Sequence, residues 1–558
     1  MSDASPVTVF INGTVIVDPN EAPEHATSDA IAFRAGVVAA LGEDARALAA
    51  AATEDATTVI DLAGGTLVPG IGDGHAHPVL GGVEALGPQV RQAADLAGII
   101  SAVADWKAAH PDADWIVGAS YDATFSEGGL FDARWLDEVT GDTPTILRAW
   151  DYHTVWVNSA ALAAGGITAD TPDPRLGRIV RRDDGSPLGT LQEAAANDFI
   201  ADIVPAFALE QRLDAIERAT RGYAEQGTTW IQDAWVEPAD VDLYLEAAQQ
   251  ERLHTRVNLA FRADPARWRE QVAEFVANRN RVRSLGHDRL SGDTVKFFLD
   301  GVIESHTAAL IEPYADRPDD RGLPNWSDAE LAEAVRAFDG EGFQLHLHAI
   351  GDAANRSALD ALEQARAADP DRERHHVVAH VAVLDPADVE RFAELGVIAN
   401  FEPYWAQCDA VMRDLTIPHL GHSREGWQYL IGSVHRSGAT VTFGSDWPVT
   451  TRDWRPALST AITRHSHAEP EAEAWLPEER VSAAVALGAY TSGIARQALA
   501  SDRGTLELGR VADAAWLSEN PLEIAPEAIA DLTVNGTWLA GDVTFLNTSG
   551  SAGTTSTD

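Results

Sequence analysis

Cysteine is almost absent from this chain of 558 residues, in which Cys408 is the single example. One thiol excludes an internal disulfide framework and a cysteine-rich metal site, and it fits a reducing compartment. The N-terminal residues 1–6 lack the basic and apolar regions of a secretory signal, and no apolar run reaches the length of a membrane span. The sequence therefore predicts a cytoplasmic protein with no membrane partner.

Basic residues are also scarce, since 41 lysines and arginines stand against 86 acidic residues and the formal net charge is -45 at pH 7. Such a charge repels nucleic acid and anionic membrane surfaces. Nucleic acid is therefore not expected as a partner, and neutral or cationic small molecules are favoured as substrates. The composition leaves a homo-oligomer open.

Lysine occurs only at Lys107 and Lys296. Lys107 lies in a polar, helical-looking stretch and is read as a surface group. Lys296 lies in Thr294-Val295-Lys296-Phe297-Phe298-Leu299-Asp300, which has the composition of a buried strand. A buried amine can lose its proton and react with carbon dioxide to form a carbamate, whereas a guanidinium cannot. The alternative is an ammonium paired with a carboxylate.

Two histidines follow a short apolar run in Leu67-Val68-Pro69-Gly70-Ile71-Gly72-Asp73-Gly74-His75-Ala76-His77-Pro78. Alternate side chains of an extended backbone share a face, so His75 and His77 can converge on one metal ion. The alternative is a pair of surface histidines in a glycine-rich loop.

Short apolar runs alternate with helical segments from Thr228 onward, which predicts a parallel sheet built from βα units. Together with the strand that leads to His75, eight candidate strands predict a (β/α)₈ TIM-type barrel with functional residues at the carboxyl ends of its strands. The seven later strands are 228–233, 256–262, 294–300, 343–350, 375–381, 396–401 and 440–446.

The rest of the chain suggests further units. Alternating apolar residues near both termini predict a small composite β-sandwich domain from residues 1–66 and 503–546. The barrel is expected over residues 67–502, and a segment too long for a loop predicts an inserted subdomain at about 82–226 that covers the barrel mouth. The Gly, Ser and Thr content of residues 547–558 predicts a disordered tail.

Three more polar residues fall at predicted strand ends: His348 on the fifth strand, His380 on the sixth and Asp446 on the eighth. Imidazole and carboxylate ligands suit divalent metals, zinc foremost, although manganese, iron and cobalt accept them too. We expect His75 and His77 to hold one ion and His348 and His380 to hold a second.

A carboxylated Lys296 would bridge two ions across a gap of roughly 3.5 to 4 Å. Without the carbamate, one ion would remain. Water activated by the metal would become a hydroxide nucleophile, and Asp446, touching that water, would accept its proton and pass it to the leaving atom.

These residues, in this order, resemble the amidohydrolase superfamily, and finer phrases resemble its amidohydrolase family three branch, which includes N-substituted formamide deformylase. The phrases are 296–301 (KFFLDG), 348–352 (HAIGD), 444–448 (GSDWP) and 504–513 (GTLELGRVAD). The resemblance covers nearly the whole chain. It implies the barrel, the composite β-domain and metal-dependent hydrolysis, usually of carbon–nitrogen bonds.

Residues 151–159 resemble a family segment that reaches the active site. His153 would then polarise the scissile carbonyl, with Tyr121, Trp156 and Trp447 lining an aromatic pocket. The alternative is a core histidine among packing aromatics. Glu193 and Asp233 also match family positions and are interpreted either as structural residues or as residues that support the active-site groups.

Two departures from the family pattern concern the site. Ala379 stands where the branch often has an acid before the sixth-strand histidine, so we expect a contact that supports the metal ligands to be missing. Glu304 and His306 stand where many relatives have small residues and arginine.

The predicted function is that of a metal-dependent hydrolase that cleaves an amide-type, non-peptide carbon–nitrogen bond of a small molecule. One alternative is an esterase or lactonase that uses the same site. Another is a non-enzymatic binding or regulatory protein on a hydrolase scaffold. The substrate itself is not encoded in any motif of the insertion.

Overall fold

The computed structural model describes residues 6–21, 26–53, 57–469 and 471–547. Its central sheet has eight parallel strands in chain order, and neighbouring strands are hydrogen-bonded. The strands, called the first to eighth barrel strands below, are Ile71–Ala76, Thr228–Val236, Arg256–Arg262, Leu290–Phe298, Gln344–Ala349, Val377–His380, Ile398–Phe401 and Val441–Phe443.

The first and eighth strands are joined just beyond their ends. The amide of Asp446 donates to the carbonyl of His75 over 2.7 Å, and the amide of His77 donates to the carbonyl of Trp447 over 2.8 Å. The sheet is thus nearly closed into a barrel, as the sequence predicts. The closure also sets Asp446 beside the two histidines of the first strand.

Helices alternate with the strands because their apolar residues recur at helical spacing. In helix Asp352–Ala368, for example, Ala354, Ala358, Leu362 and Ala365 are buried on one face, which packs on the barrel. The other helices around the barrel are Leu209–Ala224, Asp240–Gln249, Trp268–Leu285, Asp328–Gly340, Val389–Leu395, Ile431–Arg436, Trp454–Thr463, Ala483–Tyr490 and Ser492–Gln497.

Two further sheets lie outside the barrel, and the six-stranded one combines strands from both ends of the chain. Phe10 of the smaller sheet lies 4.8 Å, between ring centroids, from Trp538 of the larger one, so the two sheets pack face to face. The four-stranded sheet has the order Val37–Leu41, Ile31–Arg34, Val7–Ile11, Thr57–Asp61, with helix Gly42–Ala50. The six-stranded sheet has the order Asp542–Leu546, Val534–Leu539, Ala514–Leu517, Thr66–Pro69, Thr14–Ile16, Thr27–Ser28.

Strand Thr66–Pro69 pairs in the six-stranded sheet, and Gly70 alone separates it from the first barrel strand. The barrel therefore begins at Ile71, after the boundary at residue 67 that the sequence suggests. The tail predicted to be disordered lies, from residue 548, outside the described residues.

The insertion after the first strand contains a five-stranded sheet and its own apolar cores. Helix Leu209–Ala224 falls within the predicted bounds of 82–226, but its Leu213 and Ile216 pack into the barrel core. The sheet order is Gly177–Arg181, Pro187–Glu193, Thr154–Val157, Thr145–Ala149, Ile116–Tyr121, and the helices are Pro78–Glu84, Leu96–Ala109, Ala133–Thr140, Ser159–Ala164 and Ala194–Ile203.

Shorter helical turns complete the described chain, and none of its helices combines the length and apolar character needed to cross a membrane. Two of these turns, Ile417–Leu420 and His422–Glu425, follow the seventh barrel strand.

Candidate metal centre at the barrel rim

Three predicted ligands converge where the first and eighth strands meet. Oδ1 of Asp446 lies 2.9 Å from Nε2 of His77 and 3.7 Å from Nε2 of His75. All three side chains are buried, and their donor atoms lie within 4.8 Å of one another. This first donor set can hold one cation.

A second donor set shares His75 and adds His380 and Glu402. The rings of His75 and His380 have centroids 4.5 Å apart, and Nδ1 of His380 lies 2.9 Å from Oε2 of Glu402. Glu402, which the sequence analysis missed, is fully buried directly after the seventh strand. It supplies the carboxylate partner for His380 that Ala379 cannot provide.

Lys296 is completely buried beside these sets, with Nζ 3.1 Å from Nε2 of His75. Among the residues that the structure describes, no carboxylate forms an ion pair with this amine. Burial lowers the pKa of Lys296 from 10.5 to about 7. The structure thus shows a poorly solvated amine rather than the paired ammonium considered as the alternative.

His346 holds the other side of the His75 ring. Its Nε2 lies 2.9 Å from Nδ1 of His75, and the side chain is fully buried on the fifth strand. If Nδ1 of His75 donates this hydrogen bond, Nε2 keeps a lone pair that faces the donor sets and Lys296. His346 was not predicted, although it precedes His348 by two residues and shares its face of the strand.

His348 lies close to His380 at the rim. Its Nε2 lies 3.3 Å from the carbonyl oxygen of Gly301 and 3.6 Å from Oδ1 of Asp300. Its ring centroid is 4.5 Å from that of His380. Within the described ranges, no cluster of three donor atoms includes His348. The donor atoms of His380 group with those of His75 and Glu402, and the ring of His348 lies as close to His380 as the ring of His75 does, so the second ligand pair of His348 and His380 stays a prediction.

Two buried aspartates fix the backbone around these side chains. Asp73 accepts hydrogen bonds from the amides of Ser445 and His75 and from the hydroxyl of Tyr223, over 3.0 to 3.2 Å. Asp300 accepts three amide hydrogen bonds from residues 309, 350 and 351 over 2.8 to 3.0 Å. Burial raises the pKa of Asp73 to about 6 and that of Asp300 to about 7. Asp73 thereby ties the first strand to the eighth, and Asp300 the fourth to the fifth.

The backbone is strained at three residues of the site. His380, Asp446 and Glu193 have φ values of 74°, 50° and 54°, a left-handed region that costs a residue with a Cβ about 1–3 kcal/mol.

His153 reaches the rim from the insertion. Its Nδ1 lies 2.8 Å from Oε2 of Glu193, and its ring centroid is 5.4 Å from that of His348. Burial alone would lower the pKa of His153, but the charge and hydrogen bond of Glu193 raise it to about 9. Glu193 also accepts a 2.6 Å hydrogen bond from the hydroxyl of Thr307. His153 is therefore held as a cation that faces the site.

The predicted aromatic pocket is wrong for two of its three residues. Tyr121 and Trp156 are fully buried and pack around Phe131 in the core of the insertion. Trp447 packs edge-on against Tyr223. Sequence alone could not tell which face of the inserted sheet is covered.

Other aromatic side chains lie near the donors. Trp235 has its ring centroid 6.1 Å from that of His77, Phe298 lies 5.2 Å from His348, and Trp405 stacks on His380 at 5.7 Å. Trp235 also adjoins Arg148, which lines a cavity of about 320 Å³ between helix Pro78–Glu84 and the inserted sheet. The cavity walls are mostly apolar.

The site has the properties that a divalent cation requires. Oδ1 of Asp446, Oε1 of Glu402 and Nδ1 of His77 are buried and make no hydrogen bond of standard geometry within the described part of the chain. An unpaired buried carboxylate oxygen is unfavourable, and a cation satisfies it. Burial lowers the pKa of His75 well below its usual range, which keeps the imidazole neutral, as a ligand must be. Imidazole and carboxylate donors without thiolate match zinc and related ions.

An eight-stranded parallel barrel with this histidine and carboxylate cluster at its rim is that of a metal-dependent hydrolase. The chain belongs to the amidohydrolase family, whose model matches residues 58–545.

Individual relatives extend over nearly the full length. The chain is 30% identical over 524 residues to Protein LONG AFTER FAR-RED 3 of Arabidopsis thaliana, covering 91% of this chain and 86% of that protein. It is 26% identical over 543 residues to N-substituted formamide deformylase of Arthrobacter pascens, covering 93% and 95%. The crystal structure of an uncharacterized metal-dependent hydrolase from Pyrococcus horikoshii superposes with a TM-score of 0.72 at 22% identity, covering 93% and 99%, and shares the fold.

Proposed function

We propose that this hydrolase cleaves an amide-type carbon–nitrogen bond, other than a peptide bond, in a small molecule. The observation that carries the proposal is the convergence of His75, His77 and Asp446 on one point, with His153, which is hydrogen-bonded to Glu193, facing the same rim. The family includes N-substituted formamide deformylase as a relative of this chain, which favours amide over ester substrates.

A divalent metal, zinc in our proposal, would be held by His75, His77 and Asp446, with His380 and Glu402 as further donors. When bound, it supplies Lewis acidity, which polarises a carbonyl oxygen and lowers the pKa of water. Because both donor sets share His75, the arrangement favours one ion.

Lys296 provides a route to a second ion. With a pKa of about 7, a large fraction of its amine is neutral near neutral pH. The neutral nitrogen would attack the carbon of carbon dioxide: the nitrogen–carbon bond forms, one carbon–oxygen π bond opens with its electron pair moving to oxygen, and a nitrogen proton passes to water, which leaves a carbamate. The two carbamate oxygens add ligands beside His75, and we propose that only this carboxylated form holds two ions.

The side chains account for the proton movements of amide hydrolysis. The 2.9 Å contact of Oδ1 with Nε2 of His77 lowers the pKa of Asp446 although burial opposes it, so this carboxylate is ionised and can accept the proton of the attacking water. Its other task is to return that proton to the departing nitrogen as the carbon–nitrogen bond breaks. An amine leaves only when protonated. This proton transfer through Asp446 therefore matters more for amides than for esters.

His153 is proposed to donate a hydrogen bond to the carbonyl oxygen as negative charge develops there. Glu193 keeps the imidazole protonated and oriented. Trp235 and Phe298 offer apolar surface for the group attached to the scissile bond. A substrate of this kind is small and mainly apolar. We place the reaction in the cytoplasm, where the free thiol of Cys408 stays reduced.

The test is a turnover screen with the full-length, zinc-loaded protein, using N-formyl and N-acyl amines and the matched esters. We expect amide hydrolysis that a chelator abolishes and zinc restores. Asp446→Asn should remove it, whereas the exposed Asp414→Asn should not. Turnover of esters alone would support the esterase alternative. Failure to hydrolyse either class, with metal bound, would support a binding or regulatory protein.

A further inference from the structure

A second cluster of metal-ligating side chains lies outside the rim centre. It consists of His306 and Asp316, in the loop after the fourth barrel strand, and His419, in helix Ile417–Leu420 after the seventh strand. We propose that these three residues form a separate binding site for a divalent transition metal such as zinc. None of them belongs to the rim donor sets.

The donor atoms meet at one carboxylate oxygen. Oδ2 of Asp316 lies 2.8 Å from Nε2 of His306 and 2.9 Å from Nδ1 of His419. The two imidazole rings are 3.9 Å apart between centroids, at an interplanar angle of 48°. Two histidine nitrogens and one carboxylate oxygen within 4.8 Å of one another form a sufficient protein ligand set for zinc.

The burial of the cluster suits an ion that enters from solvent. The His306 and His419 side chains are 6% and 15% exposed, whereas that of Asp316 is 38% exposed. Water can therefore complete the coordination sphere on the open side. Burial also lowers the pKa of His306, which favours the neutral imidazole that binds metal.

The site would join two loops that already touch. The amide of Ala315 donates to the carbonyl of His419 over 2.8 Å. The guanidinium of Arg424 donates to the carbonyls of Glu312 and Pro313 over 2.9 and 2.8 Å. These contacts preorganise the three ligands, so little conformational entropy is lost when an ion binds. The ion would stabilise the contact between these two loops.

The competing explanation is a hydrogen-bonded clamp in which both imidazoles donate to Asp316 without metal. His419→Gln distinguishes the metal site from the metal-free clamp, because a glutamine amide can donate to Asp316 but is a poor zinc ligand. His306→Asn provides a second variant, and asparagine tolerates the positive φ of 58° at this position. His422→Gln is the matched control, since its imidazole, 91% exposed, lies three residues from His419 and contacts Glu425.

The full-length protein and these variants are stripped with a chelator, dialysed against zinc and analysed for zinc per chain. Each is also prepared in a His77→Ala background, which weakens the rim centre. We expect wild type and His422→Gln to retain one more zinc ion than His419→Gln and His306→Asn, and the difference to persist with His77→Ala. Zinc should raise the melting temperature of His422→Gln more than that of His419→Gln.

Equal zinc content in all variants would overturn the proposal in favour of the clamp. A difference that vanishes in the His77→Ala background would also overturn it, because the extra ion would then belong to the rim. A measurement on the wild-type protein guards against misfolded variants: zinc should protect His419, but not His422, from diethyl pyrocarbonate. Unchanged labelling of His419 would contradict the site.

Discussion

Nε2 of His346 lies 2.9 Å from Nδ1 of His75, while Nζ of Lys296 lies 3.1 Å from the opposite nitrogen of the same ring. The contact with His346 orients the ring of His75, and the amine of Lys296 approaches the nitrogen that a metal would use. His75 is therefore the side chain on which ligand orientation, lysine chemistry and both donor sets depend.

Removing His346 should weaken metal binding without removing a ligand. We expect His346→Ala to lower zinc affinity about 10- to 100-fold, because partners that orient ligands typically contribute that much. Competitive titration with a zinc chelator measures the change. His435→Ala, at an exposed histidine of helix Ile431–Arg436, serves as the control. Unchanged affinity in His346→Ala would show that the ring of His75 is held by other contacts.

Lys296→Ala should reduce turnover by more than about 100-fold, since the amine contacts the ring of His75 at the centre. Lys107→Ala is a control that the composition provides, because Lys107 is the only other lysine and bonds the carbonyl of Thr140. Zinc content measured with and without bicarbonate tests the carbamate. Full activity in Lys296→Ala would reject any role for the amine.

The pH profile of kcat/KM should report the His153–Glu193 pair. Since the pKa of His153 is raised to about 9, its protonated form is present below pH 9, and activity that needs this form falls as the pH rises through 9. Glu193→Gln removes the charge that raises the pKa of His153. Burial then lowers this pKa, so the loss of activity at alkaline pH should begin at a lower pH. Glu210→Gln, at an exposed residue, should leave the profile unchanged. A pH profile in Glu193→Gln identical to that of wild type would show that the protonation of His153 does not control the reaction.

A carboxylate far from the site should control acid stability. Asp339 accepts hydrogen bonds from His376 and Arg374 over 2.9 and 3.0 Å. Burial alone would raise the pKa of Asp339, but these bonds lower it to about 2. The stabilisation is present above pH 4, near the pKa of the unfolded state, and is lost as the pH falls through 2.

Asp339→Asn should therefore lower the free energy of unfolding at pH 7 by about 3 kcal/mol. Its stability should then change less than that of wild type between pH 4 and pH 2. Urea denaturation across this range measures both effects, with the exposed Asp371→Asn as control. Parallel curves for Asp339→Asn and wild type would contradict the assignment.

The parts of the site that the sequence predicts follow from strand geometry. His75 and His77 alternate on one strand, and parallel strands bring Lys296, His380 and Asp446 to the same rim. The regular alternation of strands and helices encodes this arrangement. The barrel could be predicted for the same reason.

The remaining features depend on contacts that no local pattern encodes. Glu402 is an acid that follows an apolar strand, and acids are common at strand ends. Its role can be recognised only from its contact with His380. His346 contacts the ring of His75 because barrel closure brings the fifth strand close to the first. The ring direction of His348, and so its distance from the donor sets, is set by Gly301 and Asp300.

The pairing of strand Thr66–Pro69 with Ala514–Leu517 has a consequence for biosynthesis. The segment that leads directly into His75 and His77 lacks this neighbour until more than four hundred further residues have been translated. A nascent chain released from the ribosome too early would leave the sheet edge open, and the metal centre would be anchored on one side only. Loading of the ion is therefore expected to follow completion of the polypeptide.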